Sequence, residues 1–108
     1  MKLHELILAV KEKNLSKEQL EDYSDQMSNL FAEMMLELAD VEKEKAIYFE
    51  DKKNFSVGGL KAITTDISIK RQWQITEKGL REIVLKRYLL ATKELINSLK
   101  SRTYRLIY

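Results

Sequence analysis

The sequence predicts an all-α protein: a long, coiled-coil-like antiparallel helical hairpin preceded by a short helix. Three observations carry that expectation. The chain has no proline and only three glycines, Gly58, Gly59 and Gly79. Proline breaks helices and glycine weakens them, so long uninterrupted helices are permitted. Apolar residues recur in steps of three and four over two long stretches, the spacing of a helix face. Between those stretches lies one strong reversal signal, the NFSVGG run of residues 54–59.

Each element follows from its own residues. Leu3, Leu6, Ile7 and Val10 share one face, predicting a short amphipathic helix over residues 2–13, with Asn14 as its stop. Ser16 with Gln19 matches the S/T-x-x-E/Q capping box, and Glu18, Glu21 and Asp22 complement the positive end of the helix that follows. That second helix is expected over residues 17–53. Its stripe reads Leu20, Tyr23, Met27, Phe31, Met34, Leu38, Val41 and Tyr48, a coiled-coil seam. At about 1.5 Å per residue it would span roughly 55 Å, and such a helix needs its stripe covered. Leu30 and Met35 widen the stripe midway.

Residues 54–59 supply the turn, where Asn54 suits a helix C-cap and the glycine pair tolerates positive φ, with Phe55 and Val57 plugging the tip. Residues 60–75 read two ways. Ile67, Ile69, Trp73 and Ile75 alternate as in a strand; Leu60, Ile63 and Ile67 also fall on one helical line. No second strand-like run offers a partner, so helix is expected. The long helix then covers residues 60–106, with a break near 76–79, where Thr76 can cap a fresh start ahead of Glu77. From Leu80 onward two seams run side by side. One is Leu85, Leu89, Thr92, Ile96, Leu99, Thr103 and Leu106; the other is Leu80, Val84, Tyr88, Ala91 and Leu95. One partner helix covers so wide a face poorly, which predicts a bundle or a homo-oligomer.

Composition narrows the function classes. At 108 residues the chain is expected to form a single domain. With 33% charged and 44% hydrophobic residues, it is too apolar for disorder and too charged for a membrane protein. No apolar run approaches the roughly 20 residues of a membrane helix, and the N-terminal LHELILAV is a poor signal peptide because Glu5 interrupts it. There is no cysteine, hence no disulfide or thiolate chemistry. A cytoplasmic setting is expected. The net charge of +2 conceals an asymmetry. Residues 1–54 carry 8 lysines against 13 acids, a net of −5, while residues 55–108 carry 11 bases against 4 acids, a net of +7. Either an acidic helix pairs with a basic one, or the surplus bases form an anion-binding face.

Catalytic constellations are not found. His4 is the single histidine and has no metal-ligand spacing around it. Gly58-Gly59 lacks a phosphate-loop pattern and reads as a turn. Glu37, Glu44 and Asp51 recur every seven residues, as one solvated or ion-paired helix face does. Met34-Met35 is core filler or an adaptable contact. The chain is therefore read as a non-enzyme needing no cofactor and no metal. The feature that points to a ligand is Lys86, Lys93 and Lys100, spaced by seven on one face and extended by Asn97, Tyr104 and Tyr108, with Arg102 and Arg105 alongside. Bases neutralise phosphates and tyrosine offers a stacking surface, a mix that suits single-stranded nucleic acid. In a simple hairpin turning at residues 55–57, however, Lys86 would face Asp22 and Asp25, and Lys93 would face Glu18 and Glu21. A secondary patch is Lys70, Arg71 and Trp73, although an aromatic at seam spacing also reads as core.

The segment Asn97-Ser98-Leu99-Lys100-Ser101-Arg102-Thr103-Tyr104 resembles small helical proteins of tailed bacteriophages. In particular it is similar to the end of the phage recombination-mediator family, where a long helix closes in a lysine-serine-arginine triplet followed by an aromatic. The resemblance spans about 25 residues and leaves the first half aside. It implies a small, helical, oligomeric protein that binds single-stranded DNA and loads a recombinase, with Lys100, Arg102 and Arg105 contacting DNA. The leading expectation is thus a phage-type accessory protein for replication or recombination, binding single-stranded nucleic acid through its C-terminal helix. The alternatives are a small protein-binding inhibitor of a host defence complex, anti-CRISPR-like, acting through the acidic half or Met34-Met35, and a structural oligomerisation module.

Overall fold

The computed structural model describes residues 2–12, 14–54, 56–57, 60–61 and 66–107. Four helices and one minimal strand pair appear in the order α1 (Leu3–Val10), α2 (Lys17–Asn54), β1 (Ser56–Val57), β2 (Leu60–Lys61), α3 (Asp66–Gln74) and α4 (Glu77–Ile107). The fold is all-α, and α2 and α4 are the two arms of an antiparallel helical hairpin. The chain gathers into two compact units, Met1–Met35 with Arg87–Tyr108, and Leu36–Lys86. Both arms contribute to both units.

Local chemistry sets the ends of the helices. The Lys2 backbone N–H donates to Glu5 Oε2 at 3.2 Å where α1 begins. The capping box ahead of α2 forms in both directions: Gln19 N–H donates to Ser16 Oγ at 3.1 Å and Ser16 N–H to Gln19 Oε1 at 2.9 Å. Thr76 starts α4. Its hydroxyl donates to the Trp73 carbonyl at 2.6 Å and accepts from Gly79 N–H at 3.0 Å, so one side chain ends α3 and caps α4. Gly79 is required by this junction, because a Cβ there would overlap the Trp73 carbonyl oxygen.

In the first unit, α1 lies on the two arms. Leu6 and Val10 of α1, Leu15 of the connection, Leu20 and Met27 of α2, and Leu99 of α4 form its buried core. Leu95, on the second seam of α4, packs against this cluster, so α1 supplies the cover that one arm alone could not. In the second unit, Val41 of α2, Ile69 and Trp73 of α3, and Leu85 of α4 are buried, with the Trp73 ring 5.4 Å from that of Tyr48.

The α2 stripe and the first α4 seam face the core at several of their positions. Leu20, Met27, Val41, Leu85, Leu89, Thr92 and Leu99 are buried. Leu106, by contrast, is exposed in the last turn of α4, and the second seam is exposed at Leu80, Val84 and Tyr88.

The segment after the turn differs from the expectation. A helix was expected from Leu60; instead Leu60–Lys61 pairs antiparallel with Ser56–Val57, Val57 opposite Leu60. That register leaves Gly58-Gly59 between the strands in sequence, the dipeptide a two-residue hairpin connection favours. The expected tip plug at Phe55 lies outside the described residues, as do the glycine pair and Ile63. Helix, not strand, does win over Asp66–Gln74, because burying Ile69 and Trp73 four apart satisfies one apolar face without a partner strand.

The pairing register of the hairpin changes in consequence. The strand pair and α3 come before α4 in the chain, and α4 begins beside Glu44, with which Lys78 pairs. Lys93 then meets Ser28 and Phe31 rather than Glu18 and Glu21, and Lys86 lies by Glu82 rather than facing Asp22 and Asp25.

Candidate nucleic-acid interface

The two arms place acids and bases unevenly. In the second unit some of the acids of α2 pair with bases at the start of α4. Arg81 forks onto Glu37, with Nε to Oε1 and Nη2 to Oε2 both at 2.8 Å, and Lys78 pairs with Glu44. The Arg81 hydrogen bonds hold the Glu37 carboxyl below its ordinary pKa. Two of the three heptad-spaced carboxylates, Glu37 and Glu44, are therefore ion-paired, one of the readings their spacing allowed.

A buried polar network also lies in this unit. Glu82 is 4% exposed. Its carboxylate accepts from Lys45 Nζ at 3.2 and 3.3 Å and from Trp73 Nε1 at 3.3 Å, while Lys86 Nζ stands 3.9 Å away. Sequence reasoning missed this network. The signal was Glu82 itself, one of three acids among residues 76–108, set three residues before Leu85 and so in line with the first seam. Thr92, fully buried in the first unit, was read as a seam residue; its hydroxyl has no hydrogen-bond partner among the described residues.

The six expected ligand-binding residues take different surroundings. Lys93 and Lys100 remain exposed and make no ion pair among the described residues. They flank a depression of about 360 Å³ lined by Ser28 and Phe31 of α2 and by Ile96 and Asn97 between them on α4. Phe31 and Ile96 are half-buried and give it an apolar floor; Asn97 is exposed, and its amide has no partner among the described residues. Lys100 also borders a second depression of about 310 Å³ with Thr103 and Tyr104, faced by Glu21, Ser24 and Asp25. The two carboxylates there oppose an anion, so the Lys93 side is the better phosphate path. Arg105 is exposed beside Leu15, Leu20 and Leu106. Lys86 lies in the second unit with Glu82.

Arg102 is placed otherwise. Its Nη1 donates to the Val10 carbonyl and its Nη2 to the Glu12 carbonyl, both at 2.6 Å. It thus satisfies carbonyls at the end of α1, where a helix leaves acceptors unpaired and carries negative partial charge. The secondary patch divides: Lys70 and Arg71 are exposed, but Trp73 is 3% exposed and belongs to the core, so it offers no platform for a base. Tyr108 lies outside the described residues.

Among the described residues no group of three potential ligands is placed to hold a metal ion, and His4 is exposed. No helix is long and apolar enough to cross a membrane. No family model, curated protein or solved structure matches the chain.

Proposed function

We propose that the protein binds single-stranded nucleic acid, without catalysis, through the α4 face bearing Lys93 and Lys100. One observation carries this reading: two lysines with no ion pair among the described residues flank a depression with an aromatic side chain in its floor and, at its rim, an amide that has no partner among those residues. The lysines stand seven residues apart, about 10 Å along the helix, a spacing that lets each meet a different phosphate of one strand. Phe31 offers an apolar surface to a base and Asn97 an amide donor and acceptor to its edge. The tailed-phage resemblance at Asn97–Tyr104 favours the same ligand, as an accessory role in replication or recombination.

Labelled single-stranded and duplex oligonucleotides, titrated at two salt concentrations, test it. Lys93→Ala and Lys100→Ala each weaken single-strand binding across sequences and lower the salt slope by about 0.7, the share of one lost phosphate contact. Phe31→Leu lowers affinity with little change in slope. Absence of binding at low salt by the folded protein refutes the reading and leaves protein binding as the better account.

A further inference from the structure

The second unit holds a groove unlike the one above. About 650 Å³ in volume, it runs between α2 and the start of α4. Its apolar lining is Val41, buried, with Leu80 at 55% and Val84 at 37% exposure. Its rim is acidic. Arg81 and Lys78 are committed to Glu37 and Glu44, whereas Asp40 and Glu77 have no ion pair among the described residues and leave the rim with two uncompensated negative charges. A groove of this kind fits an occupant that brings apolar side chains flanked by two bases.

The same unit carries such a face elsewhere. On α3, Ile69 and Trp73 point into the core. Ile75 is exposed in the turn just beyond Gln74, and the other side of α3 exposes Ile67, Lys70 and Arg71, spaced i, i+3 and i+4. Residues so spaced share one helix face. Ile67 and Ile75 are 67% and 80% exposed, and neither Lys70 nor Arg71 has an ion pair among the described residues. Ile67 and two bases on this short helix, with Ile75 in the turn just after it, complement two exposed apolar residues and two acids in the groove.

We propose that the groove receives α3 of a second copy of this chain, Ile67 and Ile75 covering Leu80 and Val84, and Lys70 and Arg71 meeting Asp40 and Glu77. The exposed start of the second seam is thereby buried, as its width requires. Every copy carries both groove and helix, so the contact is self-complementary and association needs no other protein. Its rim is ionic, so assembly weakens as salt rises.

Charge exchange tests it by sedimentation or light scattering at micromolar concentration, with circular dichroism as the folding control. The wild type has a mass above the 12.7 kDa monomer, falling toward it at high salt. Lys70→Glu with Arg71→Glu turns the helix face acidic, and Asp40→Lys with Glu77→Lys turns the groove basic. Each double variant alone is monomeric, because like charges now meet; an equimolar mixture assembles again, because both contacts become attractive. A wild type that stays monomeric at low salt, a folded double variant that assembles as the wild type does, or a mixture that stays monomeric overturns the proposal. None of the four positions borders the Lys93–Lys100 depression, so nucleic-acid binding by the monomeric variants reports separately on the function proposed above.

Discussion

Removing Lys45 should destabilise the protein more than removing the carboxylate it pairs with. The Glu82 side chain is 6% exposed and that of Lys45 28%. In Lys45→Met the carboxylate keeps a hydrogen bond only from Trp73 Nε1 and a lysine 3.9 Å away that is itself half in water. Stranding a buried charge costs about 3–5 kcal/mol, and the residual donors place this case near the lower figure, about 3 kcal/mol. In Glu82→Leu the freed ammonium needs only a change of rotamer to reach water. What remains is the buried Trp73 N–H without an acceptor, at about 1–2 kcal/mol. The double variant should cost no more than Glu82→Leu alone, since no charge is left to strand, giving a coupling of about 3 kcal/mol. Urea unfolding followed by circular dichroism measures all three; with a slope of about 1.5 kcal/mol per molar, Lys45→Met lowers the midpoint by about 2 M. Additive costs, or a Lys45→Met variant within about 0.5 kcal/mol of the wild type, would refute the argument.

Further outcomes are expected from single sites. Gly79→Ala should lower the melting temperature steeply, because the new methyl group overlaps the Trp73 carbonyl and the α3–α4 junction must open. Thr92→Val should raise stability by about 1 kcal/mol in the same urea assay, since it replaces a buried hydroxyl that has no partner with a methyl of similar size. Arg102→Ala should cost about 1–2 kcal/mol and increase hydrogen exchange in α1, whose terminal carbonyls lose their donors. The Glu37 carboxyl titrates lower in the folded state than unfolded. Its contribution is therefore complete above the ordinary carboxylate range and lost as pH falls through the folded value. Glu37→Gln should accordingly flatten the acid limb of the stability profile by less than about 1 kcal/mol, the pair being largely in water.

Helix periodicity and capping chemistry were legible because they are local. Ser16 with Gln19, Thr76 ahead of Glu77, and the Leu20–Met27–Val41 seam depend on neighbours within a turn or two. The strand pair at residues 56–61 escaped because two residues on each side are too few to show a period. Its loss from the arm altered every cross-helix pairing inferred from a simple turn. The lysines had been set against Glu18, Glu21, Asp22 and Asp25, but Lys93 meets Phe31 and Lys86 meets Glu82. The role of Arg102 was hidden for a related reason. Its partners are carbonyls some 90 positions earlier, and backbone acceptors leave no mark in side-chain spacing.

The charge asymmetry of the chain therefore has no single cause. Ion pairing between halves accounts for Lys78 and Arg81, a buried carboxylate engages Lys45 from the acidic half, and helix capping accounts for Arg102. After those uses Lys70, Arg71, Arg87, Lys93, Lys100 and Arg105 remain exposed and without ion pairs among the described residues, and four of them fall in two groups. Lys93 and Lys100 border an apolar depression at the edge of which stands an amide without a partner among the described residues. Lys70 and Arg71 sit on a short helix between exposed Ile67 and Ile75, the latter in the turn that follows it. A phosphate chain needs charges at intervals beside surfaces that accept bases, whereas a protein groove needs apolar side chains with charges at their margin. The first group fits the former and the second the latter. Measuring nucleic-acid affinity and self-association on the same variants should accordingly show the two responses separating by lysine pair, with Lys93 and Lys100 altering the first and Lys70 and Arg71 the second.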